Sequence, residues 1–148
     1  GTALRLPSHK AQLAGPDRRI WDILAPAMAA SAPRPVSARE LADQTGHPLK
    51  QIEGVLQRAG RHGLVTRISK TRYATPDLLR HLAGVAETIA TQRDGGLFSA
   101  ADYRDASGIG RNVCIEVLEF FDQQRFTFRS GDGRKVLKSI DEAFGKSA

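Results

Sequence analysis

The sequence predicts a mainly α fold with small β wings (α+β), built twice in tandem, and three observations carry that prediction. An offset of about 62 residues aligns two segments of the chain without a gap. Each segment has apolar residues at helical spacing followed by a short alternating stretch of the kind that pairs as a hairpin. Residues that start and stop helices recur at matching places in both. Under the offset Ser37 falls on Ser99, Leu41 on Tyr103, Gly46 on Gly108, Val55 on Val117, Leu56 on Leu118, Leu64 on Phe126 and Arg72 on Arg134.

Each repeat opens with a long helix, Pro16 to about Ala30 in the first and Pro76 to about Gln92 in the second, because proline fits the first helical turn. A short helix follows. Ser37 and Glu40 have the spacing of a reciprocal capping pair, and Ser99 and Asp102 repeat it. Gly46 and Gly108 are placed to end these helices in the left-handed conformation. Leu49, Ile52, Val55, Leu56 and Ala59 then mark the buried face of a third helix, matched by Val113, Val117, Leu118 and Phe121. Two hairpins complete the repeats, one from Leu64 to Ala74 and one from Phe126 to Leu137 around Gly131 and Gly133. Helix, helix, turn, helix and hairpin in that order describe a winged helix. The chain therefore divides into residues 1–75, with an N-terminal lead-in, and residues 76–148. Thr75-Pro76-Asp77 is too short to act as a flexible linker, which predicts limited independent motion.

A formal charge of +6 and a pI near 10 favour a polyanionic partner. One cysteine allows no internal disulfide, and no apolar run approaches the roughly 20 residues that span a bilayer, so a cytoplasmic chain without membrane contact is expected. Gly1 to Leu4 lack the features of a secretory signal, which suggests a fragment whose upstream part is missing. His9, His47, His62 and His81 lack metal-ligand spacing, and no phosphate-binding loop, dinucleotide fingerprint or nucleophile elbow is present. The acids Asp102, Asp105, Glu116, Glu119 and Asp122 read as caps and surface charge. Neither catalysis nor a cofactor is expected of this chain.

Residues 1–75 carry 12 Lys and Arg against 5 Asp and Glu, whereas residues 76–148 carry 10 against 11. In the second repeat the positive charge crowds on the hairpin, where Arg125, Arg129, Arg134, Lys135 and Lys138 meet only Asp132. Such an edge suits phosphate contacts, although it would equally serve as a solvated face. Arg111 follows Gly110 at the start of a helix, where backbone N–H groups could share a phosphate with its guanidinium; its alternative is a surface pair with Asp105 or Glu116. Asn112 and Arg104 flank the same region. Cys114 takes the place of Ile52 on an apolar face and reads as a packed thiol. Phe120, Phe121 and Phe126 read as core, leaving no aromatic platform for single strands.

Phe98 to Asp105, Gly108 to Asn112, Val117 to Asp122, Arg125 to Arg129, and Gly131, Asp132 and Arg134 resemble, in order and spacing, the C-terminal module of the bacterial selenocysteine-specific translation elongation factors. Leu4 to Lys10 and Ala59 to Arg67 resemble the region upstream of it, so the likeness covers nearly the whole chain. In that family a GTPase, using GTP and magnesium, carries selenocysteyl-tRNA, and four C-terminal winged helices reach a hairpin in selenoprotein mRNA. The resemblance implies that this chain holds modules three and four as a monomer, and that the last grips the hairpin. It nominates Arg111, Arg129, Arg134 and Lys135 as RNA-binding, and Asn112, Arg125, Lys138 and Arg104 complete the candidate RNA-binding set. Asn112 and Phe128 stand where the family often has a basic residue. The first module could then contact the ribosome, the tRNA or distal mRNA. Two other readings stay open, a tandem winged-helix DNA-binding regulator and a protein-interaction scaffold.

Overall fold

The computed structural model describes residues 13–145, which form two compact units, one ending at Pro76 and the other beginning at Asp77. Leu4 to Lys10, with His9 among them, lie outside the described residues.

The first unit runs α1 (Gly15–Ser31), β1 (Val36–Ser37), α2 (Ala38–Thr45), α3 (Leu49–Arg61), β2 (Thr66–Arg67) and β3 (Arg72–Ala74). The three strands form an antiparallel sheet in the order β1-β3-β2. Ser37 caps α2, accepting from the Glu40 N–H while the Glu40 carboxylate accepts from the Ser37 N–H. Gly46 ends α2 at φ 77°, in the region where a side chain would be strained. Three helices meet at Leu24, Leu41, Ile52, Val55 and Leu56, each nearly or wholly buried. Burying each large aliphatic side chain contributes about 1.5–3 kcal/mol, which holds the three helices as one body.

The second unit repeats the plan with α4 (Pro76–Thr91), α5 (Ala100–Ser107), α6 (Arg111–Gln123), β4 (Thr127–Ser130), β5 (Gly133–Val136) and α7 (Ile140–Phe144). α2 and α5 both have 8 residues, and α3 and α6 both have 13. Ser99 and Asp102 form the second reciprocal cap, and Gly108 closes α5 at φ 71°. The core is aromatic where the first is aliphatic. Tyr103 takes the place of Leu41, wholly buried, and donates its hydroxyl to the Leu82 carbonyl at 2.8 Å. Phe121 stands edge-on to both Tyr103 and Phe126.

Three features go beyond the sequence expectation. β1 is two residues long and pairs with a strand more than thirty residues away, so it has no periodicity to read. Its counterpart is a single bridge from Phe98 to Arg134, which adds a third row beside β5. α7 is one turn and a half, capped by Ser139 and Glu142. It is fastened by Arg80, which donates to Asp141 and to the Gly145 carbonyl, and by Phe144 against Phe121 and Phe126.

Candidate nucleic-acid interface

α6 begins at Gly110, which has φ 87° and offers no side-chain cap, so the first N–H groups of the helix are not satisfied by a cap. Arg111 and Asn112, the first two helical residues, are both exposed there. Further along, Glu119 is exposed on the same helix. The positive end of α6 is thus its first turn, where the helix dipole and the Arg111 guanidinium have the same sign.

The wing is a four-pair antiparallel ladder with Phe128 opposite Lys135 and Arg129 opposite Arg134. Side chains alternate between its faces, which puts Arg129 and Arg134 on one and Phe128 and Lys135 on the other. Arg129 is exposed and Lys135 is half-buried.

Arg134 does not lie at the surface as its place in a basic hairpin suggested. It is 7% exposed and its guanidinium donates to both carboxylate oxygens of Asp122, at 3.2 and 3.0 Å through Nε. Asp122 also accepts from the Thr127 hydroxyl at 2.6 Å. One carboxylate at the end of α6 therefore holds both strands of the wing. Counting acids within the hairpin alone missed Asp122, which neutralises Arg134 from twelve residues upstream. Arg134 is thus held inside the wing, whereas Arg104, Arg111, Asn112, Arg125 and Arg129 are exposed and Lys135 and Lys138 half-buried. Asp105, offered above as a partner for Arg111, sits 3.4 Å from Arg104, an exposed pair of little energetic consequence. Lys138 lies close enough to Glu142 to lower its carboxyl pKa, though the Ser139 N–H and hydroxyl do more.

Arg125 occupies the turn between α6 and β4 at φ 58°, the only non-glycine residue with positive φ among the described residues. An L side chain there costs roughly 1 kcal/mol, which glycine avoids. Arg125→Gly is expected to raise the unfolding midpoint of the second unit slightly while weakening polyanion binding. Thermal unfolding and an RNA titration on the same sample check both halves.

The capping acids also organise the arginines around them. Glu40 accepts from Arg34 and Arg72, and Asp102 from Arg93. Burial pushes the Glu40 carboxyl up, but the Arg34 and Ser37 hydrogen bonds and the two guanidinium charges prevail and hold it at about 2, against 4.5 ordinarily. Asp102 is held at about 2 rather than 3.8, by Arg93 first and the Ser99 N–H second. Both folded-state values lie below the unfolded ones, so the stabilisation is complete above about pH 4.5 and is lost as the pH falls through about 2. Urea unfolding between pH 5 and pH 2 should lose stability in that window, with Glu40→Gln flattening the loss in the first unit and Asp102→Asn in the second.

Phe120, Phe121 and Phe126 are core, at 6%, 0% and 0% exposed. Phe128 is different, at 41%. Cys114 is buried, its thiol pushed up to about 11 by burial and set against the Ala100 carbonyl. No group of His, Cys, Asp or Glu able to hold a metal ion occurs among the described residues, and no described helix is long and apolar enough to cross a membrane.

The first unit has its own positive surface. Residues 54–76 include Arg58, Arg61, Arg67, Lys70 and Arg72 and no Asp or Glu. Arg58 is taken by Asp17 and Arg72 by Glu40. Arg67 is anchored on the Ser69 and Lys70 carbonyls of the wing turn. A groove of about 680 Å³ between α3 and the wing is lined by Arg39, Arg67, Lys70 and Arg72, with Glu53 as its acid.

Two winged-helix units, each with cations on its wing, define a tandem winged-helix protein of the kind that meets nucleic acid through helix start and wing. A family model described as "Elongation factor SelB, winged helix" matches residues 90–136, and the chain is 33% identical over 137 residues to the selenocysteine-specific elongation factor of Escherichia coli (strain K12), covering 93% of this chain. The chain belongs to the selenocysteine-specific elongation factor family, in its C-terminal winged-helix region. It is also 24% identical over 129 residues to the corresponding factor of Haemophilus influenzae, with 87% of this chain covered. In three dimensions it is similar to the mRNA-binding domain of elongation factor SelB from E. coli, solved in complex with SECIS RNA. The TM-score is 0.75 and the identity 29%, over 85% of this chain and 100% of that one. The chain spans about a fifth of the length of the curated relatives it matches, 22% and 20%.

Proposed function

We propose that the second unit binds the selenocysteine-insertion hairpin of selenoprotein mRNA, so that selenocysteine is inserted at UGA. The observation that carries this reading is the placement of exposed Arg111 and Arg129 at the helix start and wing of a fold similar to a domain solved on SECIS RNA. A-form RNA has a major groove too deep and narrow for a helix, so a small module reads loop or bulged bases and tracks the backbone. The exposed Glu119 on α6 suits that geometry, because the helix presents its first turn and not its length. Phosphate contacts from Arg111, Arg129 and Lys135 fix the register, and unstacked bases supply specificity.

In this reading the chain performs no catalytic step and works in the cytoplasm as a monomer without a cofactor. GTP, magnesium and selenocysteyl-tRNA belong to other parts of the longer factor. The ribosome is the partner proposed for the first unit. The test is binding of this chain, at stated salt, to the selenoprotein mRNA hairpin of its own genome, beside a loop-scrambled hairpin and a duplex DNA of equal length. Selective hairpin binding supports the reading. Equal binding to all three, or a preference for the DNA, overturns it.

A further inference from the structure

The outer face of the second unit's wing carries a feature that phosphate contact does not use. Phe128 stands opposite Lys135 across β4 and β5, and Phe98 bridges to Arg134 on the far side of β5. Strand alternation then puts Leu97 beside Lys135, on the face that carries Phe128. The position of Gly133 agrees. A Cβ on Gly133 would lie 3.0 Å from Leu97 Cγ and Cδ1, so the leucine covers this glycine from the outer side. One row across the two strands and the segment bridged to them thus reads Leu97, Lys135, Phe128.

Both ends of that row are exposed, Leu97 at 40% and Phe128 at 41%, although the unit buries its other phenylalanines in the core or half-buries them against it. Phe128 has no aromatic neighbour among the described ring contacts, whereas Phe98, Phe120, Phe121, Phe126 and Phe144 all do. β4 and the segment bridged at Phe98 flank β5 and lie about two strand spacings apart, roughly 10 Å, enough for a flat ring to rest on either end with the central cation between. The row holds a cation in Lys135, Arg129 is exposed on the opposite face of the same strand, and Asp132, at the turn, is the only acid from Gln123 to Ser139. An apolar protein partner would not call for those cations. A nucleotide does, since it joins a π-face to a phosphate.

We propose that Phe128 is a stacking platform for one unstacked base of the RNA loop, with Lys135 on the phosphate of that nucleotide and Leu97 bounding the site. This rests on the hairpin-binding reading and adds to it a base-contacting residue. Stacking is tolerant of base identity, so the site selects for an extruded nucleotide and not for a particular base.

The experiment uses the whole chain and a fluorescently labelled selenoprotein mRNA hairpin from its own genome, in versions carrying one abasic nucleotide at each loop position in turn. Phe128→Ala should weaken binding about 5- to 150-fold, the range for losing one base–aromatic stack, with the salt slope and thermal midpoint unchanged. Phe128→Trp should retain affinity. One abasic position should lower wild-type binding by the same factor and have no further effect on Phe128→Ala, which identifies the stacked nucleotide. If Phe128→Ala binds within twofold of wild type while Arg129→Ala still weakens binding, the platform is overturned and the hairpin reading survives. If wild type does not prefer the hairpin, both fall.

Discussion

Asp122→Ala should destabilise the second unit by about 3 kcal/mol, because it leaves the Arg134 guanidinium buried without its carboxylate. The figure sits at the low end for a broken buried pair because the Asp122 side chain is 24% exposed. Loss of the Thr127 hydrogen bond adds to the effect in the same strand. Amide hydrogen exchange resolves the two units, and protection in α6 and β4 should drop about 100-fold with the first unit unaffected. Replacing both partners by apolar residues, Asp122→Leu with Arg134→Met, should recover most of the loss, since the cost lies in the stranded charge. Unchanged exchange in Asp122→Ala would mean that Arg134 is available to a ligand. The wing would then be held by its apolar contacts alone. This prediction also bears on interpretation, since weak RNA binding by Arg134→Ala would reflect a loosened wing and not a lost phosphate contact.

Arg111→Ala and Arg129→Ala should act in the opposite way, leaving the fold intact and each weakening hairpin binding about tenfold. The two contacts lie on different elements and share no partner, so the double variant should lose about 100-fold. Each should also reduce the dependence of log affinity on log salt by about 0.7 to 0.9, the contribution of one neutralised phosphate. Titrations at two salt concentrations separate this outcome from unfolding, which would remove binding at both. A slope that does not move would place the arginine away from the backbone and make its effect a matter of base contact or structure.

Much of the architecture was legible from local rules. The Ser37–Glu40 and Ser99–Asp102 caps and the glycines at 46 and 108 stand where short-range chemistry puts them. The third-helix faces follow from helical spacing, and Ile52, Val55, Val117 and Leu118 are each 1% exposed or less. α7 was legible in principle, since Ser139 and Glu142 have the same capping spacing, but five residues are too few to show a buried face. β1 and the Phe98 bridge were not, because their partners are set by chain return and not by neighbours. In the candidate site, sequence grouped the wing cations correctly as a hairpin but could not sort them by exposure.

The sequence by itself determined the caps and the apolar faces, because each is a property of residues at most a few turns apart, and the repeat and the excess of positive charge, because neither depends on how the chain packs. Only the tertiary structure decided which charges are available. Arg134 and Arg129 are cross-strand partners on one face of the wing, yet Arg134 is buried against Asp122 while Arg129 is exposed. That difference arises where the end of α6 meets β5, a contact between segments with no periodicity in common. Phe126 and Phe128, two residues apart, fall on one side by alternation, yet Phe126 is buried against Phe121 and Phe144 while Phe128 is exposed, a difference that only the packing decided.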